Sequence, residues 1–478
     1  MKNRGWTVTC AGMGINLALG VLYTWSVIKK AIPAEWGWSD ADKALPYSIA
    51  CIVFALVMVP AGRLQDRIGP RWVATAGGIL TGIGCIVASY AVTVAWFVIG
   101  FGIFAGAGIG LGYASATPPA VKWFPARKTG LIAGLVVAGF GLASVYISPI
   151  ANHLTGFSLS GKPVPAVEEL ARAKELAEKD LLAARAALEG SQADAGSAEI
   201  TGVRHTIEAK DAALKDAAAQ LLALKERNIH RTMLTFGIGF MFVVTLLAQW
   251  LVIPPPGYQP PDTAAGAARA AAATALSLGP GEMLRTPLFY LLWAMFAFGA
   301  GAGLMIIGNI TTIAKLGKIE AGFILVALLA VGNAAGRIVA GVLSDRIGRL
   351  WTMFIIFLFQ AALMMVLRTG LTDMTAFVVV SMLLGFNYGA CLSVFPSAVK
   401  DNFGLKNFGI NYGLVFTAWG VGGFVFPLTA GKMFEAAKKA TGTGSYNDAY
   451  RVAAGLLVVA AALTFVTRTV EKRHKASR

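Results

Sequence analysis

The chain has 478 residues, of which 56% are hydrophobic and 14% are charged, and its formal net charge at pH 7 is +16. Soluble domains carry roughly 25% charged residues, so this composition excludes a soluble globular protein and indicates a polytopic membrane protein. The basic residues are spread over the loops between apolar stretches, a distribution that anionic lipid headgroups explain better than a nucleic-acid partner does.

Apolar stretches of about 20 residues are long enough to cross the hydrocarbon core of a bilayer as helices. The sequence contains twelve of them, near residues 6–28, 45–63, 72–92, 95–117, 130–151, 232–253, 287–308, 321–343, 350–368, 375–396, 409–431 and 450–467. We therefore predict an all-α polytopic membrane protein with twelve transmembrane helices.

The loop charges predict how the chain is oriented. If the N-terminus is cytoplasmic, that side carries 19 lysines and arginines, and the short loops opposite carry ten. Because positive residues are enriched on the cytoplasmic side, we expect both termini in the cytoplasm of a multi-pass cell (inner) membrane protein. The first helix is too long, and lacks the small-residue cleavage site, to be a removed signal peptide.

Tyrosines in the first and fourth predicted helices are candidates for a solute cavity. Tyr23 follows a glycine-rich stretch of the first helix, and its hydroxyl needs a partner if it is buried. Tyr113 precedes Pro118 and Pro119, which free backbone carbonyls and bend the helix. Irregular helix at membrane depth is tolerated where it lines a cavity. Core packing is the alternative interpretation for both tyrosines.

Two loops of the chain repeat each other. The stretch from Gly62 to Trp72 and the stretch from Gly341 to Trp351 share a G-x-L-x-D-R-x-G pattern at an offset of 279 residues, and the same offset relates Gly130 to Gly409. The chain is therefore predicted to be a duplicated six-helix unit, with two pseudo-symmetric bundles.

This duplicated loop pattern closely resembles the major facilitator superfamily. The resemblance implies the major facilitator fold and a gating clamp at the cytoplasmic ends of the helices. The clamp would consist of Gly62, Asp66, Arg67, Gly69, Arg71, Gly341, Asp345, Arg346, Gly348 and Arg349. We expect its aspartates and arginines to pair across neighbouring helix ends, and its glycines to allow close helix approach.

A second stretch narrows the resemblance within that superfamily. The basic turn Lys122–Lys128 and the glycine-rich fifth helix after it look like those of monocarboxylate transporters and the related oxalate:formate antiporters. The resemblance implies transport of small organic anions. Tight helix packing is the alternative explanation for the glycines.

Residues 160–228 interrupt this pattern with a composition rich in Ala, Glu, Lys, Leu and Arg. Apolar residues recur every three or four positions on both sides of a turn at 190–197, which predicts an antiparallel helical hairpin outside the membrane. We expect it to act as a spacer or in self-association, with partner binding as a further alternative. The predicted parts are an N-terminal bundle (1–159 with 229–253), the extracytoplasmic hairpin insert (160–228), a cytoplasmic linker (254–285), a C-terminal bundle (286–470) and a cytoplasmic tail (471–478).

The eighth predicted helix carries one arginine, Arg337, deep in an apolar stretch. A charge at that depth costs from about 3 to over 10 kcal/mol, so such residues usually serve function. Asn333 lies four residues earlier and therefore on the same face. A structural pairing with Asp345 is the alternative, but that residue is about 12 Å further along the helix.

A single deep guanidinium favours a solute with one carboxylate, because its planar fork matches two carboxylate oxygens. The second cation of oxalate:formate antiporters, a helix-eleven lysine, would align with Trp419. In animal-type monocarboxylate transporters the residue at Asn333 is an aspartate, and a helix-one lysine aligns near Val27. The resemblance thus leaves proton coupling open and makes Arg337 the only expected fixed charge in the pathway.

We therefore predict a secondary active transporter of lactate- or pyruvate-like monocarboxylates, working by alternating access with proton coupling or exchange. Its expected substrate-binding residues are Arg337, Asn333, Tyr388, Phe416, Trp419, Tyr23 and Tyr113. Alternatives are an oxalate:formate-type antiporter, a carrier of another small organic anion, and a non-transporting sensor or envelope protein. The spacing of histidines and cysteines suggests no enzyme, cofactor or metal site. The expected partners are the anion, H⁺ and the lipid bilayer.

Overall fold

The computed structural model describes residues 4–124, 129–158, 163–191, 197–255, 258, 278–319, 322–404 and 407–476. The regular secondary structure within these ranges is helical, apart from one isolated bridge between Phe157 and Pro163. The end of the predicted basic turn, the middle of the predicted hairpin turn and most of the predicted linker lie outside the described residues.

Twelve helices in the described part of the chain are long and apolar enough to cross a membrane. They are Gly5–Ala31, Asp40–Ile68, Pro70–Ser89, Val94–Val121, Leu131–Leu154, Thr201–Ala248, Pro287–Leu316, Ile324–Ile347, Arg349–Arg368, Met374–Phe403, Phe408–Thr441 and Asn447–Arg473, numbered below as the first to twelfth spans. The predicted fold class is confirmed. Because consecutive spans alternate in direction, both termini lie on one side, the terminus side, and the insert lies on the other, the hairpin side.

Two of these spans contain irregular helix. The first consists of α-helix Gly5–Leu19, a 3₁₀ turn Gly20–Thr24 and α-helix Trp25–Ala31. At Gly20 a side chain would collide with Ala143 of the fifth span, so the two backbones touch there. The fourth span has a π-helical segment at Val98–Ala105. Such irregular stretches often mark functional sites, and the 3₁₀ turn includes Tyr23.

The two bundles meet mainly where the second span packs on the eleventh and the fifth on the eighth. Glycines of the eleventh span allow this approach: a side chain at Gly420 would collide with Ala55, and one at Gly423 would lie 2.7 Å from the Cβ of Cys51. Hydrophobic burial drives little helix association inside a bilayer, so close backbone packing supplies much of the contact.

The predicted clamp loops form ion pairs on the terminus side. Asp66 lies 3.7 Å from Lys122. In the second copy, Arg349 lies 2.6 Å from Asp345 and 2.9 Å from Asp401 of the tenth span. The other predicted clamp arginines do not share one role. Arg71 donates to the side chain of Gln249 at 2.6 Å, and Arg67 and Arg346 are exposed.

The clamp glycines serve a different purpose from the expected one. Nothing lies within 4 Å of a side chain added at Gly62, Gly69 or Gly348, so the expectation of close helix approach is wrong at these positions. Gly69 and Gly348 instead have φ of 92° and 93°, which L side chains rarely adopt. They let the chain turn sharply from one span into the next. Gly341 does face a neighbour, Ser393, at 3.0 Å.

The insert is a helical hairpin continuous with the membrane part. Its first helix is Pro165–Ser191, and its second belongs to one 52-residue helix, Ser197–Ala248, that includes the sixth span. At 1.5 Å per residue this helix is about 78 Å long. The hairpin helices are linked by the pair Lys210–Asp180 at 2.6 Å.

The base of the hairpin contacts the connection between the first two spans. Glu35 lies 3.3 Å from Lys225 and 3.9 Å from Lys174, one from each hairpin helix. The Trp36 indole donates to Glu226 at 2.7 Å. Partial burial opposes ionisation of Glu35, but a backbone hydrogen bond and the two lysines outweigh it and hold the pKa of its carboxyl below the usual value. The hairpin is therefore anchored by charge.

Candidate functional site

Arg337 lies at the contact between the two bundles. Its side chain is 7% exposed, its Nε donates to Asn333 Oδ1 at 3.1 Å, and its Nη1 donates to the carbonyl of Val137 on the fifth span at 2.8 Å. The expected alternative pairing with Asp345 does not form, because Asp345 pairs with Arg349. The Arg337 guanidinium is thus held across the interface by neutral acceptors, and it forms no ion pair with a carboxylate among the described residues.

Asn333 has unused hydrogen-bonding capacity beside this guanidinium. The residue is fully buried, and its amide nitrogen Nδ2 has no partner among the described residues. A buried donor without an acceptor costs about 1–3 kcal/mol. The facing position on the fifth span is Gly141, where an added Cβ would lie 3.6 Å from both Asn333 Nδ2 and Arg337 Nε. The unsatisfied Asn333 Nδ2 and the Arg337 guanidinium therefore both lie beside a position that lacks a side chain.

Tyr113 joins the same cluster from the fourth span. Its hydroxyl lies close to the Arg337 guanidinium. Its ring packs edge-on against Phe140 and stacks on Phe416, at centroid distances of 5.3 and 6.1 Å. The N-terminal bundle thus contributes a polar group to a site whose charge comes from the C-terminal bundle.

A second polar cluster joins the bundles through Tyr23, Tyr388 and Trp419. The Trp419 indole donates to the Tyr388 hydroxyl at 2.7 Å, and the Tyr388 and Tyr23 hydroxyls lie 2.7 Å apart. The indole N–H and the two tyrosine hydroxyls supply three donor protons, but the three side chains form only these two hydrogen bonds with one another. Whichever way the tyrosine pair is oriented, one hydroxyl proton has no acceptor in the described structure. That proton is available to a ligand.

Aromatic rings separate and enclose these polar groups. Phe416 stacks on Trp419 with centroids 5.1 Å apart, and Phe54 of the second span contacts both rings, at 5.6 and 5.1 Å. The lining is apolar and contributed by both bundles. It suits a small ligand with one apolar end and one strongly polar end.

The structure thus gathers the seven predicted residues into one region, although their role in substrate binding stays a prediction. Arg337, Asn333 and Tyr113 form one polar cluster, and Tyr23, Tyr388 and Trp419 form the other. Phe416 packs against both, through Tyr113 and Trp419.

Lys29 is a buried residue that the sequence did not indicate, because the first apolar stretch was predicted to end near residue 28 and Lys29 was counted among the ten basic residues of the short loops. The side chain is 3% exposed, and its Nζ donates to Asn309 Oδ1 on the seventh span at 2.8 Å. Asp40 lies 3.7 Å from the same nitrogen, and Tyr446 donates to the same amide oxygen at 3.0 Å. Lys29 is thus a second buried cation between the bundles, and the expectation that Arg337 is the only fixed charge in the pathway stays a prediction. The available signal was the position of Lys29 four residues after Trp25, on the buried face of the helix.

Two six-helix bundles that meet around buried polar groups define a membrane transporter fold. A family model described as Major Facilitator Superfamily matches residues 7–161, 228–427 and 305–478. The chain belongs to this superfamily, as its loop pattern predicted, and is a multi-pass membrane transporter.

Similar proteins cover most of the chain at low identity. An uncharacterized MFS-type transporter, YhjX, of Escherichia coli is 24% identical over 87% of this chain and 85% of its own length. The oxalate:formate antiporter of Oxalobacter formigenes is 24% identical over 87% and 82%. Apicoplast pyruvate carrier 1 of Toxoplasma gondii is 24% identical over 87% and 81%.

Solved structures agree on the fold. A bacterial homolog of the human lysosomal transporter Spinster, in an inward-facing and occupied conformation, matches with a TM-score of 0.63 over 98% of both chains. The sequence identity is 16%, so this likeness shows the fold alone.

Proposed function

We propose that this protein transports small monocarboxylates of the lactate and pyruvate type by alternating access. The observation that carries the proposal is the Arg337–Asn333 pair, which is buried between the bundles and leaves the donor Asn333 Nδ2 without an acceptor among the described residues. An arginine fork binds the two oxygens of a carboxylate bidentately. A carboxylate at Gly141 would accept from Arg337 and from Asn333 Nδ2, which removes the cost of the unsatisfied amide.

The second polar cluster supports a substrate with an oxygen at the 2-position. The spare hydroxyl proton of the Tyr23–Tyr388 pair can be donated to a keto or hydroxyl oxygen. Phe416, Trp419 and Phe54 provide an apolar surface for a methyl group. A binding site that offers both environments favours a short 2-oxo or 2-hydroxy acid over a fatty acid or an inorganic anion.

Alternating access requires contacts between the bundles to break in turn. On the hairpin side the contact is Lys29 with Asn309, and deeper in the molecule it is Arg337 with the Val137 carbonyl. A substrate carboxylate competes directly for the Arg337 donors, so binding can release the second contact. We propose that transport is coupled to protons or to exchange of a second anion. We further propose that the protein lies in the cell membrane with both termini on the cytoplasmic side.

The test is uptake of labelled lactate and pyruvate into proteoliposomes, with and without an imposed pH gradient. We expect Arg337→Ala to abolish uptake. Arg337→Lys should reduce it strongly, because lysine keeps the charge but loses the planar fork. The matched control is Arg368→Lys, at the exposed end of the ninth span. Unchanged uptake in Arg337→Ala would refute the carboxylate site, and stimulation by an inward proton gradient would select symport over exchange.

An oxalate:formate-type antiporter is the second candidate. It is favoured by Lys29, a second buried cation that the first interpretation did not include, and by the antiporter of Oxalobacter formigenes among similar proteins. A dicarboxylate needs two cations, since one unpaired buried carboxylate costs several kcal/mol. Competition of labelled pyruvate uptake by oxalate, formate and lactate separates the two candidates. Stronger inhibition by oxalate, lost in Lys29→Met, would favour the antiporter.

A further inference from the structure

A basic cavity lies where the hairpin enters the sixth span. It has a volume of about 610 Å³. Its lining includes Tyr90, Glu226, Arg227, His230 and Arg231. The cavity lies on the surface of the N-terminal bundle, away from Arg337, and the proposed transport function does not use it.

The cavity has a net positive charge, because its lining contains two guanidiniums and one carboxylate. Arg227 and Arg231 are one helical turn apart, both are exposed, and neither forms an ion pair within the described chain. The nearby carboxylate, Glu226, is engaged by the Trp36 indole at 2.7 Å. The buried Nε2 of His230 has no hydrogen-bond partner among the described residues. Two guanidiniums and an imidazole nitrogen are thus available to one anionic ligand.

The same helix face becomes apolar toward the membrane. Ile238 and Phe242 follow Arg231 by seven and eleven residues and are 57% and 67% exposed. At 1.5 Å per residue they lie about 10 and about 16 Å deeper along the helix axis. Tyr90, at the cavity rim, is 77% exposed, as is typical of aromatic residues at the bilayer interface. A charged end above an apolar stripe matches the two ends of a phospholipid.

We propose that this cavity binds an anionic phospholipid of the hairpin-side leaflet, with its phosphate on Arg227 and Arg231 and an acyl chain along Ile238 and Phe242. Guanidiniums bind phosphate oxygens bidentately, and His230 Nε2, which has no partner among the described residues, provides a third contact. Because Trp36 connects Glu226 to the loop after the first span, the bound lipid also stabilises the base of the hairpin.

The test is native mass spectrometry of the full-length protein purified from membranes that contain phosphatidylglycerol, followed by titration of the delipidated protein with that lipid. We expect Arg227→Gln/Arg231→Gln to weaken binding about 20-fold. Arg227→Lys/Arg231→Lys should retain most of the affinity. The matched control, Arg185→Gln/Arg204→Gln, removes the same charge from exposed hairpin positions further from the membrane. Equal loss in this control would refute a specific site.

Two further arms identify the ligand. Ile238→Ser/Phe242→Ser should weaken phosphatidylglycerol binding while both arginines remain. Excess inorganic phosphate should not displace the lipid, because it lacks the acyl contacts. Displacement by phosphate, or full affinity in the serine variant, would show that the cavity takes a soluble anion and would overturn the lipid assignment. Each of these results is independent of whether the protein transports monocarboxylates.

Discussion

Replacing Asn309 with leucine tests whether the Lys29 contact holds the hairpin side closed. Lys29 donates to Asn309 Oδ1 at 2.8 Å across the two bundles. A carboxylate of its own bundle, Asp40, lies 3.7 Å from the same nitrogen. In Asn309→Leu the closed state keeps a buried ammonium without its acceptor. In the open state the same ammonium is hydrated. The substitution therefore destabilises the closed state selectively.

The magnitude follows from the lost Lys29 hydrogen bond. The Tyr446 hydroxyl also loses its acceptor, but it lies in the same bundle as Asn309, so we expect that loss to affect the closed and open states alike. A hydrogen bond to a charged group contributes about 1.5–3 kcal/mol, so the equilibrium should shift roughly 10- to 150-fold toward opening on the hairpin side. Other contacts between the bundles remain, such as Thr311 Oγ1 donating to the Ser26 carbonyl at 2.6 Å. We therefore expect a larger open population and a protein that still folds.

The assay is a spin-label distance measurement across the hairpin side. Labels at Ala34 and Lys315 occupy exposed positions on opposite bundles, in a background where the exposed Cys10 is replaced by serine. Asn309→Leu should add a longer-distance population. The control is Asn402→Leu, a buried asparagine whose amide donates only to the carbonyl of Ala398, in its own helix. An unchanged distance in Asn309→Leu, or an equal change in the control, would refute this role of Lys29.

Three further predictions concern the binding site, the hairpin and the clamp. Gly141→Val should raise the KM of uptake at least tenfold, because the new side chain fills the position facing the Arg337 cluster. Gly134→Val should leave the KM unchanged, because nothing lies within 4 Å of a side chain added there. Equal KM values in the two variants would contradict the site. The lowered pKa of Glu35 stabilises hairpin docking above the usual carboxyl pKa. This stability is lost as pH falls through the folded-state pKa, so amide exchange at the hairpin base should accelerate in acid, and Glu35→Gln should remove the pH dependence. Gly348→Ala should cost about 1–3 kcal/mol in thermal unfolding, because its φ is 93°, while Gly62→Ala should be nearly neutral.

The twelve spans and their duplication were predictable from the sequence alone. Each membrane helix satisfies its own backbone hydrogen bonds, so a local apolar stretch is enough to specify it. The hairpin helices were also predictable, because the spacing of their apolar residues is a local feature of the sequence. The end of the second hairpin helix was not predictable. No helix-breaking residue separates the polar part of Ser197–Ala248 from its apolar part, and a helix continues until its hydrogen-bonding pattern is interrupted.

The residues that form the two polar clusters could be named from the sequence, but their arrangement could not. The cost of a charge in an apolar helix pointed to Arg337 without any tertiary information. The hydrogen bond between Tyr23 and Tyr388 joins positions 365 residues apart, so only the packing of the two bundles creates it. The unsatisfied amide of Asn333 is likewise a property of its burial.

The two adjacent lysines of the first span show this division most clearly. In the sequence, Lys29 and Lys30 are equivalent charges at the end of an apolar stretch. Successive residues of a helix point about 100° apart, so at most one of them can face the other bundle. Lys29 donates to Asn309 of the C-terminal bundle, whereas Lys30 lies over the ring of Phe157 in its own half. The sequence determined that a positive charge stands at this end of the helix. Only the packing of the bundles decided which lysine became a buried contact between them.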